Sequence, residues 1–481
     1  MSESALPPAG GPDPGMVAYV GATVIDGLGA SPISRGVVLV SGERIVAAGP
    51  QREVPIPHRA RVVSLAGRFL MPGLIDGNVH LVPWPTWSYI EFLARYEDRF
   101  DEVAVEGAQM ALRAGITTVF DSMGPLDALI AARDRIDRGE VPGARMFVAG
   151  NIVGFRAVFT TSASMSAASQ AFQRRINDRF EAGAGPDLPW KTPQQIYAQI
   201  SRYAASGVDF VKYGATGDGQ PINSEVGQEA VLRFSPDQQR AIVNAVHDAG
   251  KIVQTHTTSA EALHIAVEVG NDIGQHASMT GRSRIYQRTM ERMLETGYHC
   301  GTQWLPLTED ERRIVAERAF PGDDSANGND GVSFDLENAV RLIEAGVPQF
   351  MSTDAGWTDP DVAAEQQQGG GLDGTASLLG EAELLNLRAM ADRGMSPMQV
   401  LQAATFNVAR AYHVDDQIGS LRAGLQADLL VLDHDPLASV ENLRSVVLVV
   451  QRGREIDVSA LPAHPVLTSA AARAPGRIRR G

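Results

Sequence analysis

The chain has 481 residues, a formal net charge of −15 and a single cysteine. That length exceeds one small core and predicts a large domain with a smaller companion. The acidic balance argues against nucleic acid and anionic membrane surfaces as partners, and one cysteine excludes an intramolecular disulfide and fits a reducing, cytoplasmic setting.

Residues 1–15 are rich in Pro and Gly, with no basic start and no apolar core, and predict a disordered N-terminal tail. Residues 16–68 read as short β-segments broken by Asp26-Gly27 and by Ser41-Gly42-Glu43, the first half of a β-sandwich. Its second half is expected in 412–465, where the β-runs 425–432 and 446–450 flank the turn Asp433-His434-Asp435-Pro436; residues 466–481 read as a flexible tail. Between these ends, over 69–411, strand-like runs alternate with helical patterns. The runs are 69–81, 115–121, 146–150, 209–213, 252–256, 272–276, 298–302 and 349–354. This predicts an α/β chain: a (β/α)8 TIM barrel with a discontinuous small β-sandwich domain built from both chain ends, its chemistry at the C-terminal ends of the barrel strands. No apolar run reaches membrane-spanning length.

The first barrel strand ends in Asn78-Val79-His80. Alternate side chains share a face of a strand, so Asn78 and His80 point together into the barrel mouth, a place that suits a metal. His80, Lys212, His256, His276 and Asp354 each close a predicted strand. Any one of these histidines alone reads as an ordinary hydrogen-bonded residue; a set on one rim points to a metal centre. Asp121 ends the second strand and reads as a hydrogen-bond acceptor. Cys300, in an apolar run, reads as a small buried hydrophobe.

The order His, Lys, His, His, Asp on strands 1, 4, 5, 6 and 8 resembles the amidohydrolase superfamily. The likeness extends over nearly the whole chain, including the return through Asn407-Val408-Ala409-Arg410 and residues 418–428. The resemblance implies a divalent metal, Zn or Co, held by His80, Lys212, His256, His276 and Asp354, with the pKa of a coordinated water falling toward ~7. It implies that Asp354 serves as general base and then acid, and that Lys212 is carboxylated by CO2 into an anionic bridge, the alternative being a free lysine paired with an acid. The superfamily's first strand carries His at both outer positions, whereas here the first is Asn78. An amide oxygen is a poor ligand, so one metal per protomer is expected. The Asn-x-His departure resembles a branch holding the phenylurea hydrolases and molinate hydrolase. It implies cleavage of the urea C–N bond of N-alkylated phenylureas by a metal-bound hydroxide, releasing an aniline. The alternatives are thiocarbamate hydrolysis releasing a thiol, a prolidase-like dipeptidase, and a barrel without catalysis used for assembly. Similar enzymes imply a homo-oligomer.

Trp84, Trp87, Tyr89, Phe155, Tyr213, Trp304 and Trp357 lie just past strand ends, with Arg156 the one obvious cation among them. Singly each reads as packing. As a set they predict a pocket for a small, hydrophobic, neutral substrate. The loops after strands 1 and 8 read as a lid or a tolerated insertion.

Overall fold

Gly73 divides the first predicted strand in two. A Cβ there would stand 2.1 Å from the Thr117 side chain, so only glycine lets the chain pass this point. Before it, β5 (Phe69–Pro72) belongs to a sheet made by the chain ends. After it, β6 (Leu74–His80) opens the barrel. The computed structural model describes residues 15–82, 93, 95–155, 166–185, 187–217, 231–281, 283–320, 331–356 and 378–468. Trp84, Trp87, Tyr89, Arg156 and Trp357, most of both predicted loops and nearly all of the N-terminal tail lie outside them.

The end sheet contains β1 (Met16–Val24), β2 (Ile33–Ser41), β3 (Arg44–Pro50), β4 (Arg61–Ser64), β5, β15 (Leu429–Leu432), β16 (Val446–Gln451) and β17 (Arg454–Ile456). Its order is β17-β16-β15-β5-β1-β2-β3, with β4 parallel to β1. The two chain ends meet where β5 pairs antiparallel with β15, Phe69 opposite Leu432. Both predicted halves therefore form one hydrogen-bonded eight-stranded sheet. Tyr19, Val38, Leu70, Leu429 and Val431 are buried in its main core.

The barrel strands are β6, β7 (Ile116–Asp121), β8 (Arg145–Val148), β9 (Val211–Gly214), β10 (Val253–His256), β11 (Ile273–Gln275), β12 (His299–Thr302), β13 (Gln349–Met351) and β14 (Ala355–Gly356). All pair in parallel, in the runs β14-β6-β7-β8 and β9-β10-β11-β12-β13. An isolated bridge between Val153, in the segment after β8, and Tyr213 of β9 links the two runs, and Asp354 N–H donates to Asn78 O at 2.8 Å, so the ring closes at the candidate site. Helices are started by repeated local chemistry. Thr192-Pro193, Ser235-Pro236 and Ser396-Pro397 each place a hydroxyl that accepts the N–H of a glutamine three residues on. The proline fixes the first helical φ and the cap satisfies an orphan donor, worth about 1 kcal/mol per helix. Among the described residues no helix is long and apolar enough to cross a membrane.

The barrel interior is layered. Its floor is aromatic: Phe120 stacks on Phe147 at 4.6 Å and on Tyr412 at 3.7 Å, with Phe210 and Phe350 edge-on. Above it the Tyr412 hydroxyl donates to Gly77 O, and Gln275 Nε2 donates to Gly77 O at 3.3 Å and to Gln254 Oε1. Ser352 Oγ donates to Gln275 Oε1. These amides and hydroxyls link to one another in a buried layer, with the Gln254 amide nitrogen left without a partner among the described residues, and the site lies on top of it.

Three predicted boundaries move. Residues 69–72 join the end sheet, because their backbone pairs with β1 and β15. Tyr412 belongs to the barrel floor, not to the second β-half. Residues 466–468 are no flexible tail: Glu106, buried on the helix Phe100–Arg113, accepts the N–H groups of Val466, Leu467 and Thr468 at 2.7, 2.7 and 3.1 Å.

Tyr412 supplies both ring packing and a hydroxyl. Tyr412→Phe is expected to lose about 1–2 kcal/mol of unfolding free energy and Tyr412→Ala about 3–5 kcal/mol. Denaturant titration of both variants reads the split; equal losses would place the whole contribution in the hydroxyl.

Candidate metal centre

Strand period and one backbone irregularity set which side chains reach the barrel mouth. On β6, Asn78 and His80 share a face with Asp76 below them. On β9, Lys212 faces inward and its neighbours outward. On β10, Gln254 lies in the polar layer and His256 one level higher. On β11 the alternation is broken: Gln275 and His276 are adjacent, yet both reach the interior. His276 has φ of 38° and Asp354 φ of 60°, both in the left-handed region that non-glycine residues rarely occupy. Such backbone costs about 1–3 kcal/mol per residue. The surrounding hydrogen bonds hold both residues there. For Asp354 they include its own N–H on Asn78 O and the Asp76 carboxylate beneath, which accepts the Thr353 N–H at 3.1 Å and the Asn78 N–H at 3.0 Å.

Asp354 is the hub. Its Oδ1 accepts from His80 Nε2 at 2.8 Å and from Asn78 Nδ2 at 2.7 Å. Its Oδ2 accepts from Gln303 Nε2 at 3.1 Å. The Asn78 amide oxygen accepts in turn from Lys212 Nζ at 3.0 Å and from Ser122 Oγ, and Lys212 lies 3.2 Å from Ser122 Oγ. On the other side of the mouth His276 Nε2 meets His256 Nδ1 at 2.9 Å, with the rings nearly perpendicular, and His276 Nδ1 donates to Thr257 O at 3.1 Å. Asn78, Ser122, His80 and Lys212 are essentially buried, whereas His256, Gln303 and Asp354 are partly open to solvent.

Burial and mutual charge fix the protonation states. Burial opposes ionisation of Asp354, but His80, Lys212 and His276 outweigh it and hold the carboxyl well below the usual carboxylate range. Burial lowers His80, and it lowers His276 to about 4. His256 is held well below its ordinary value, first by burial and then by His276 and Lys212. Burial also lowers the Lys212 amine against the pull of Asp354 and Asp121. The result is three neutral imidazoles around one ionised carboxylate, a donor chemistry that suits a divalent cation of mixed N/O preference. Among the described residues these groups stand as two hydrogen-bonded pairs rather than as a ready-made cage of three or more.

All five residues expected on the rim, and Asn78, come together here. Asp121 ends β7 as an acceptor for Leu81 N–H at 2.7 Å and Met123 N–H at 3.2 Å, and burial pushes its carboxyl up to about 7. Phe155 also reaches the site, its ring nearly perpendicular to that of His256 with the centroids 5.3 Å apart. It lies over Gly214, where a Cβ would meet the Phe155 ring at 2.0 Å. Two expected pocket residues face elsewhere. Tyr213 follows the inward Lys212 and so points out, giving its hydroxyl to Gln239 at 3.0 Å. Trp304 is buried in the wall, its indole N–H on Ser278 Oγ at 2.9 Å and Arg393 over its ring at 5.0 Å. Ser122 and Gln303 were not anticipated; the only signal for either is its place at the end of a barrel strand. Cys300 is buried, and burial pushes its thiol up to about 12, as expected of an inert residue.

The imidazole shifts have a consequence for stability. A histidine with folded pKa about 4 and unfolded pKa about 6.5 takes up its proton first in the unfolded chain. Stability therefore falls as pH drops from about 6.5 to about 4, by up to about 1.4 kcal/mol per pH unit for each such group. Asp121 acts with the opposite sign between about 4 and 7. Metal-free His276→Gln is therefore expected to show a shallower loss of stability over pH 4–6.5 than the metal-free parent, read by denaturant titration at several pH values. Parallel profiles would mean that His276 does not stay neutral in the folded state.

The geometry agrees with what the chain resembles. The amidohydrolase family model matches residues 69–456. A structure of molinate hydrolase superposes with a TM-score of 0.83 at 36% identity, covering 95% of this chain and 97% of that one. Phenylurea hydrolase B superposes with 0.84 at 34% identity, covering 94% and 99%. In sequence, the 5-methylthioadenosine/S-adenosylhomocysteine deaminase of Symbiobacterium thermophilum is 24% identical over 469 residues, 93% of this chain and 90% of that one. The chain belongs to the amidohydrolase family and is an enzyme acting on C–N bonds.

Proposed function

We propose that the protein hydrolyses the urea C–N bond of N-alkylated phenylureas, releasing an aniline, with one divalent cation in the site. The family is generally metal-dependent. The observation that carries the reading is the joint engagement of one carboxylate oxygen, Asp354 Oδ1, by His80 and Asn78. His80, His256, His276 and Asp354 would hold the cation, which would displace the protons that now link them in pairs. When bound, it supplies Lewis-acid activation of water and carbonyl.

The Asn78 amide is already engaged on both sides, its N–H on Asp354 and its oxygen on Lys212 and Ser122. It has little left to offer a second cation, which favours one ion over two. Lys212 either keeps its amine in this network or, carboxylated, exchanges it for an anionic bridge. Asp354 Oδ2, the oxygen not engaged by His80 and Asn78, takes the proton from the attacking water and returns it to the departing nitrogen. The carbonyl carbon gains OH and the nitrogen gains H, so the atoms balance. Phe155 beside His256 offers an apolar wall to a neutral substrate.

A thiocarbamate hydrolase that releases a thiol is the second reading, favoured by the equal likeness to molinate hydrolase. Turnover of phenylureas by metal-loaded protein, before and after chelation, tests the first. Chelator-sensitive aniline release is expected, falling by at least about 100-fold in His80→Ala and Asp354→Asn. Thiol release from thiocarbamates without aniline release from ureas would move the assignment to the second reading.

A further inference from the structure

Gln303 sits just past β12, partly open to solvent, and its one hydrogen bond among the described residues is the one to Asp354. Gln303 Nε2 donates this bond, and Asp354 Oδ2 accepts it at 3.1 Å. That fixes the orientation of the Gln303 amide: Nε2 faces Asp354 and Oε1 faces away from it. The other polar groups near the carboxylate are differently placed. Asn78 is fully buried with both ends of its amide engaged. His80 is buried against Asp354. Gln303 therefore brings an amide carbonyl oxygen, an acceptor, next to the carboxylate that carries protons in the proposed reaction.

We propose that Gln303 sets substrate specificity by accepting a hydrogen bond from the substrate's N–H, so that the enzyme prefers ureas and related acyl compounds that keep an N–H over fully N-substituted ones. The inference rests on the proposed C–N hydrolysis and narrows its substrate class. A phenylurea with one free N–H can donate to Oε1 while Nε2 stays on Asp354. A thiocarbamate whose nitrogen carries two alkyl groups has no hydrogen to give and leaves Oε1 facing an apolar group. Sites built to hydrogen-bond a substrate group discriminate strongly against the analogue that lacks it, because the protein's own polar atom is then left without a partner.

The test compares kcat/KM for pairs of substrates that differ only in N–H against N–CH3, across phenylureas, carbamates, thiocarbamates and anilides. The wild type is measured beside Gln303→Leu and Gln303→Glu, all metal-loaded and with metal content determined. The wild type is expected to favour the N–H member of each hydrolysed pair by about 10-fold or more, with the preference collapsing toward parity in Gln303→Leu. Taking the change in the ratio cancels the steric effect of the methyl group. Gln303→Glu keeps an acceptor but sets a second carboxylate beside Asp354, so it should turn over more slowly while retaining the N–H preference. If Gln303→Leu does not fold, Gln303→Met replaces it. Hydrolysis with the same N–H preference in wild type and in the Leu or Met variant overturns the inference and leaves C–N hydrolysis standing. Failure of the loaded wild type to hydrolyse any of these classes removes the proposed function and the inference together.

Discussion

One carboxylate oxygen, Asp354 Oδ1, accepts hydrogen bonds from two residues of the first barrel strand, His80 and Asn78. This bond pair joins the last barrel strand to the first and so coincides with closure of the ring. The backbone reinforces it: Asp354 N–H reaches Asn78 O, and Ala355 pairs with Val79. The left-handed φ at Asp354 is the conformational cost of aiming the carboxylate across the seam rather than along the strand. Closure of the barrel and assembly of the site are therefore one event, which explains why the site needs no loop to complete this part of its wall.

Below that seam the interior changes character layer by layer. The floor is a stack of buried aromatic rings, and the layer above it links Gln254, Gln275, Ser352 and Tyr412 by hydrogen bonds. The imidazoles above it are buried enough to remain neutral. Burial that disfavours charge on histidine is what keeps its ring nitrogens available to a cation, and the same burial would penalise Asp354 were His80, Lys212 and His276 not gathered around it. Asn78 fits this economy differently from a histidine. An amide both donates and accepts, so it links Asp354 to Lys212 and Ser122, whereas an imidazole would offer one donor and one lone pair. The substitution converts a ligand position into a structural link.

Much of this was legible in the sequence, because the rim residues combine a chemical type with a strand-end position. His80, Lys212, His256, His276 and Asp354 are rare types in that pattern, and period-2 alternation placed Asn78 beside His80. His276 was found by type and strand-end position, although its inward aim depends on a left-handed φ that no pattern announces. Ser122 and Gln303 escaped because hydroxyls and amides occur everywhere and carry no signal of their own. Tyr213 was misread although the needed rule was in hand: if Lys212 faces in, its neighbour faces out. Tyr412 and Gly73 were missed for a different reason. One closes the barrel floor from a distant helix and the other marks a sheet-to-sheet crossing against Thr117. Both are tertiary facts, invisible to local periodicity.

The central claim is that Asn78 links the wall and leaves room for one cation. Metal analysis of purified wild type beside Asn78→His, each saturated with Zn or Co and then freed of excess metal, tests it most directly. The account predicts about one ion per protomer in the wild type, rising toward two in the variant, where an imidazole replaces the engaged amide. Two tightly held ions per protomer in the wild type would contradict it.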